Sequence, residues 1–534
     1  MSNSFRNQEE GLQAVLRAAC VISQMFSQTI GPYGFRAIVH HTQNIQTTRD
    51  SRRMFKDIVF LDAFENIGIK LIRDTALQTR SQFGDGAKTT TLLIEALLEK
   101  GITGFQQGCD PQELYRGMLL AEQEMQKIFH RKKFPVTDLE HLVCVSDIAQ
   151  SVNTDLASVL SEAVRYAGKD GYYILEENEG NRTTWSAEEY AVWDFGYTSP
   201  YFITHAETET VEYSQVYVLV SESPLHSSDQ CFLAFLEAIV QGGKTPLMII
   251  AKSFDRRLLS TLEMNQIEGR FPVCAIRVGG KHAQESLEDI AALTGASLLT
   301  EEAFKETSEE KVMSQLGFVK GVCISATNFC IPREGTNKAK LAAHCSILRD
   351  ELDRLCSEEA RTWQKKRLAR LSTGEVRIRV AAELVHQEEL AYIAASVRAM
   401  TESLRGGCLP GGGCSLIRAA REVSVPITLS LGERFGFLAV LSAAERPFRA
   451  IVARSGKNVD AIFSEVFSQA DWCIGFNGLS GGVEDIVAQG ICDEAFCIQN
   501  AIHHAVRTVG LLLTSALFFA SQEGSPSGIE SSEE

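Results

Sequence analysis

The two ends of this 534-residue chain read as helix and its middle does not, and that contrast limits the fold more than any single motif. Near the start, Leu12, Val15, Leu16, Ala19, Ile22 and Phe26 recur at i, i+3, i+4, i+7 spacing, which makes one face of a helix apolar. Pro32 disfavours helical geometry in the residue before it, so the helix must stop at Gly31-Pro32, and Thr29-Ile30-Gly31-Pro32-Tyr33-Gly34 becomes a turn. A further amphipathic helix is expected around Phe64, Ile67 and Leu71. From about residue 216, strand-like runs at 216–220, 247–251, 273–278 and 296–299 alternate with helical runs at 232–240, 258–268 and 283–293, the pattern of a layered α/β domain. The periodicity predicts one long charged helix over 347–371, with Leu348, Leu352 and Leu355 on one side, and helices again at 393–404 and 501–520. Helical termini around an α/β middle imply that the ends fold together and the middle is inserted between them. The length calls for two to four domains of roughly 100–200 residues.

Composition narrows the partners. A formal charge of −16 disfavours nucleic acid and anionic membranes, whose phosphates would be repelled. Residues 1–10 are polar and lack the apolar run of a signal sequence, and the apolar stretch 509–520 is too short to span a bilayer and is interrupted by Thr514 and Ser515. Fourteen cysteines occur without a Cys-x-x-Cys pair, and several, such as Cys20, Cys274 and Cys323, sit in apolar runs. They read as reduced core residues of a cytoplasmic protein. The small, polar, acidic tail 521–534 is expected to be disordered.

The chemistry concentrates in Gly84-Asp85-Gly86-Ala87-Lys88-Thr89-Thr90-Thr91, just ahead of the apolar positions Leu92, Leu93, Ala96 and Leu97. A carboxylate on a glycine turn that opens a helix sets free N–H groups and hydroxyls beside a potential Mg²⁺ ligand, which suits phosphates. An ordinary glycine turn before a threonine-capped helix reads equally well from the octapeptide alone. It is not a Walker A loop, because Gln82 and Ala87 stand where that motif needs glycine. Three other phosphate-friendly segments lie far away in sequence: 29–34, Thr47-Thr48-Arg49-Asp50, and Pro410-Gly411-Gly412-Gly413.

In their order and spacing, and together with Asn477 and Asp493, these segments resemble the type I chaperonins, the GroEL or 60-kDa heat-shock-protein family. The resemblance runs from about residue 8 to 520 and includes Phe64-Glu65-Asn66, Gly196-Tyr197-Thr198-Ser199-Pro200-Tyr201-Phe202 and Asp289-Ile290-Ala291-Ala292-Leu293-Thr294-Gly295. It implies a multidomain α plus α/β chaperonin fold. A helical equatorial domain would come from 1–132 and 408–534, a small intermediate hinge domain from 133–188 and 376–407, and a layered α/β apical domain from 189–375. It also implies ATP with Mg²⁺, and K⁺ as a further candidate cation. The implied partners are unfolded polypeptides, a GroES-like co-chaperonin and copies of the same chain in a seven-membered ring.

By the same resemblance Thr29, Ile30, Gly31, Pro32 and Gly412 line the nucleotide and Asp85 holds Mg²⁺. Gly86 and Thr89 contact phosphate, Asn477, Gly478, Leu479 and Asp493 contact adenosine, and Asp50 sits near the attacking water. Departures gather here. Arg49 replaces a lysine of the family, and Ala87 and Lys88 occupy two threonine positions. The aspartate that the family lowers onto the γ-phosphate falls, by ungapped counting from Gly411, on Ala395, while Ala394 and Ser396 offer no carboxylate and Glu388 and Glu389 are more than a turn away. The client and co-chaperonin groove maps onto Tyr197, Tyr201, Phe202, Leu233, Leu236, Leu259 and Met264, with Glu263 intruding, and a hinge glycine is Tyr190. The leading expectation is an ATP-binding chaperone with weakened hydrolysis, which forms rings only conditionally. The alternative is a non-hydrolysing binding or regulatory subunit that serves particular clients or assembles with an orthodox relative. A P-loop enzyme is the outside reading, weakened by the missing Walker glycines.

Overall fold

The computed structural model describes residues 3–521 except 33, 42–43, 57, 137–153, 179, 181, 188–189, 242–244, 306–308, 334–337, 356, 373 and 382–386. Tyr33, the tail beyond 521 and the side chains of Glu388 and Glu389 therefore lie outside it. The chain forms two compact units, one made of 1–165, 177–184 and 380–534, the other of 166–176 and 185–379. No described helix is long and apolar enough to cross a membrane.

The first unit is a helical bundle. Its core is the apolar stripe of Gln8–Thr29 packed with Ala63–Phe83, Ala87–Gln106, Pro111–Lys132, Leu431–Ala443 and Ala495–Leu513. The first helix ends at Thr29, as Pro32 requires. The last helix does not run on to 520. It stops at Leu513, where the hydroxyls of Thr514 and Ser515 donate to the Gly510 and Leu511 carbonyls, and the chain continues as the strand Leu517–Ser521. That strand pairs antiparallel with Asn3–Asn7, Phe5 facing Phe519, so the two ends are joined by a ladder that helical periodicity could not reveal. Cys20 is exposed, not buried in the core, because it lies off the buried face of the first helix. Cys323 is only half buried, whereas Cys274 is fully buried.

The second unit is layered. Strands Val273–Arg277, Leu247–Ala251, Val216–Ser221 and Leu298–Leu299 form a parallel sheet in that order, with Gly317–Val319 added antiparallel to Val216–Ser221. Every residue of Leu247–Ala251 is buried, as expected for a central strand covered on both faces. Helices Gln230–Gln241, Arg256–Ile267 and Ala283–Thr294 pack on this sheet. A second, antiparallel sheet joins Tyr190–Trp193, Phe329–Pro332, Val322–Ile324 and Val211–Tyr213. The expected single helix over 347–371 is two, Lys338–Arg354 and Glu358–Leu371. Breaking it lets Leu348 and Leu352 of one and Leu368 and Leu371 of the other enter the same core, which a straight rod of that length, about 1.5 Å per residue, could not do.

Candidate functional site

Two helices of the first unit begin on left-handed glycines; the helix Arg446–Arg454 also lacks a side-chain cap but begins at Glu445 in helical geometry. The helices at Gln8, Ala63, Pro111, Leu431, Val459 and Ala495 each have a side chain, from Asn7, Asp62, Asp110, Ser430, Asn458 and Glu494, accepting from their first N–H groups. The helices at Ala87 and Cys414 instead begin at Gly86 and Gly413, both in the left-handed region (φ 91° and 77°) and both without a side-chain cap. No side chain takes their leading N–H groups, although the Cys414 N–H already donates to the Gly411 carbonyl at 3.1 Å, and those beyond it suit an outside acceptor. These are two of the glycine segments singled out from sequence.

The fold brings the dispersed segments together. Lys88 Nζ donates to the Thr29 carbonyl at 2.9 Å, tying the Asp85 turn to the 29–32 turn. Pro32 packs where a side chain on Gly478 would stand, and Gly412 lies 3.9 Å from the Phe476 carbonyl by its would-be Cβ. The Asp493 carboxylate lies against Gly411, held there because Cys492–Glu494 pairs with Cys408–Pro410. Asn477 is buried and largely committed to its own loop: its carbonyl oxygen accepts from Leu479 N and Ser480 N, and its amide donates to Glu484. Ala87 is buried, Thr89 is half buried and Arg49 is exposed.

Three carboxylate positions decide what this rim can do. Asp85 is exposed, and among the described residues none donates to or pairs with its oxygens, so they fit a hard cation such as Mg²⁺. Ala395 lies at the same turn: its carbonyl occupies the space a side chain on Gly84 would need, so the helix Gln387–Gly406 rests backbone-on-backbone on the residue before Asp85. It brings a methyl group and no carboxylate. Asp50 is already saturated. Its Oδ1 accepts from Arg80 Nη1 at 2.6 Å and from the Arg52 backbone N–H at 2.8 Å, and its Oδ2 from Arg80 Nη2 at 3.3 Å and Arg52 Nη2 at 3.4 Å. A carboxylate has about four acceptor positions, so all are taken. Burial works against the charged form, but the Arg80 charge and the Arg52 contacts outweigh it and hold the Asp50 pKa below the ordinary carboxylate range.

Sequence reasoning missed Arg80. It stands on Ala63–Phe83 one turn before Gly84, and a guanidinium at that spacing from the Asp85 turn was the available signal. It also missed Glu494, next to Asp493. Burial pushes Glu494 up to about 8 against the pull of the Phe496 and Cys497 N–H groups, with Glu402 adding to the rise. A folded pKa raised above the unfolded value gives stability that is complete below about pH 4.3 and is lost as the pH climbs to about 8. Glu494→Gln keeps an acceptor oxygen and removes the charge, so its unfolding temperature should vary less than the wild type's across that window in calorimetric scans.

In the second unit the proposed groove residues separate. Tyr201 and Met264 are 63% and 51% exposed, and Tyr197, Leu233, Leu236, Leu259 and Glu263 are half buried. Phe202 is fully buried and belongs to the core: it closes the one-turn helix Pro200–Phe202, whose tight turn sends Tyr201 outward and Phe202 inward. Val240 and Ile267, not singled out from sequence, are exposed on the helices that carry Leu236 and Met264. Ile267 follows Met264 by three residues and so shares its face.

The family model of the TCP-1/cpn60 chaperonin family matches residues 22–183 and 203–516. Chaperonin GroEL 2 of Chlamydia caviae is 31% identical over 523 residues, 97% of each chain. Chaperonin GroEL 2 of Chlamydia pneumoniae is 30% identical over 524 residues, covering 97% of this chain and 99% of the relative. Among solved structures, the chaperonin gp146 of bacteriophage EL 2 of Pseudomonas aeruginosa, crystallised in the presence of ATP-BeFx, superposes with a TM-score of 0.67 at 17% identity, covering 97% of this chain and 99% of that one. By these matches, spread over nearly its whole length, the chain belongs to the TCP-1/cpn60 chaperonin family.

Proposed function

We propose that this chaperonin binds Mg-ATP on the two uncapped glycine turns, hydrolyses it slowly, and captures unfolded polypeptide on the exposed apolar face of its second unit. The single observation that carries the nucleotide reading is the unengaged Asp85 carboxylate between left-handed Gly84 and Gly86, at the mouth of a helix without a side-chain cap. Bound Mg²⁺ would neutralise phosphate charge there. The N–H groups beyond Gly86 and beyond Cys414 would take the oxygens, the Lys88 ammonium would add positive charge, and Asp493 and the 477–479 loop would face the nucleoside. Slow turnover follows from Ala395 and from the saturation of Asp50. The three-domain division, in which 133–188 and 376–407 form a hinge between the other two, belongs to this proposal, as do assembly into a ring and a cytoplasmic location.

Isothermal titration of Mg-ATP, followed by steady-state phosphate release, tests this reading. Micromolar binding with turnover at least roughly tenfold below an orthodox chaperonin measured alongside is expected. Absence of binding overturns it. The saturated Asp50 also favours a second reading, a subunit that binds nucleotide without hydrolysing it and works beside an orthodox relative; binding with no phosphate release would select it.

Capture has its own test. A half-buried carboxylate in an apolar face must be desolvated when a client docks, at a cost on the order of 1–3 kcal/mol, or roughly ten- to hundredfold in affinity. Glu263→Val should strengthen capture of a denatured model protein in a light-scattering assay. Unchanged capture would show that Glu263 lies outside the docking face.

A further inference from the structure

The second unit holds a cavity of about 210 Å³ with an unusual lining. Arg333, Lys366, Arg370 and Arg377 meet there with only two carboxylates, Asp194 and Glu375, and with Ile174 and Val192. On a chain of net charge −16 this is a local excess of positive charge. Three of the cations are held in place. Arg333 Nε donates to the Arg370 carbonyl at 3.1 Å and its Nη2 to the Tyr190 carbonyl at 2.6 Å, while Gly374, with φ of 90°, leaves room for its guanidinium. Arg377 pairs with Glu176 at 2.6 Å, and Lys366 stands 3.6 Å from Glu375.

Arg370 is different. It is 6% exposed, yet among the described residues no acceptor takes a hydrogen bond from its guanidinium. Its planar group lies over the ring of Trp193 at 5.3 Å, and Trp193 is itself stacked on Phe329. The Asp289, Glu375 and Asp194 carboxylates favour its charge from a distance but accept no hydrogen bond from it, so the five donors of this largely buried guanidinium stand open to an acceptor in the cavity. The contact with the Trp193 ring holds the guanidinium beside the cavity before anything arrives.

We propose that this cavity is a binding site for a small oxyanion of the phosphate class, with Arg370 as its central donor and Lys366, Arg333 and Arg377 as flanking charges. With Glu176 paired to Arg377, three carboxylates stand against four cations and the lining keeps a net positive charge that suits an anion, and the volume admits a phosphate group with its first waters. Burial already holds the Arg370 pKa below its ordinary value, and a dianion at the fork would relieve that strain on the charged form.

Isothermal titration of the full chain with inorganic phosphate, at fixed ionic strength, tests the proposal. Saturable binding is expected, weakened at least roughly tenfold in Arg370→Met and severalfold in Lys366→Met, which leaves the stack on Trp193 intact. If Arg370→Met does not fold, Lys366→Met decides. Phosphate binding unchanged in the variants, as binding on the glycine turns of the first unit alone would give, overturns the proposal. So does a response reproduced by chloride or by acetate at equal ionic strength, and so does the absence of saturable binding.

Discussion

Ala395→Asp is expected to raise steady-state ATP turnover at least roughly tenfold without changing the affinity for Mg-ATP. A general base or water-orienting carboxylate contributes about 10²–10⁴-fold to a rate, and of the two positions expected to supply one, 395 is an alanine and Asp50 has its four acceptor positions taken. The helix Gln387–Gly406 already rests on Gly84 through the Ala395 carbonyl, so a carboxylate added at 395 starts within one side-chain length of the turn. The variant puts a carboxylate group in place of one methyl hydrogen. Phosphate release at saturating ATP is the measurement. A rate unchanged from wild type, with affinity retained, would show that position 395 does not face the transferred phosphoryl group.

Arg80→Ala should have the largest effect on stability, because it leaves Asp50, which is only about a tenth exposed, short of two of its four donors. Removing one partner of a mostly buried ion pair costs on the order of 3 kcal/mol. The pH dependence gives the sign. Asp50 has a folded pKa below its unfolded value, so the pair's contribution is complete above about pH 4 and is lost as the pH falls through the lowered folded pKa. The gap in unfolding temperature between wild type and Arg80→Ala should therefore be widest near neutrality and close below about pH 4. A gap independent of pH would mean that Arg80 stabilises by packing alone. In the Ala395→Asp background, Arg80→Ala should also add to turnover, since it releases two acceptor positions on Asp50 for water.

These expectations depend on distances that no reading of the chain could supply. The Asp85 turn was legible because glycine, carboxylate and hydroxyls follow one another within eight residues, and local chemistry of that kind depends on little beyond its neighbours. Position 395 could be reached only by counting back from the triple glycine. The close approach of its helix to Gly84 gives that count a physical setting. Arg80 and Asp50 are thirty residues apart and meet only because one helix carries the guanidinium past the end of another strand, so the saturation of Asp50 was invisible. The cavity around Arg370 gathers residues from five stretches between 174 and 377 and has no motif at all.

The sequence by itself determined the alternation of helical ends and α/β middle, the point at which the first helix must stop, and the glycine turns with their carboxylate, because each of these follows from periodicity or from the backbone freedom of single residues. Tertiary structure decided the rest. It turned the last apolar stretch into a strand by giving it Asn3–Asn7 to pair with, split the charged helix so that both halves could bury leucines, and drew Phe202 inside while leaving Tyr201 out. In each case the local pattern allowed more than one outcome, and the partner that decided between them lay at least a dozen residues away along the chain.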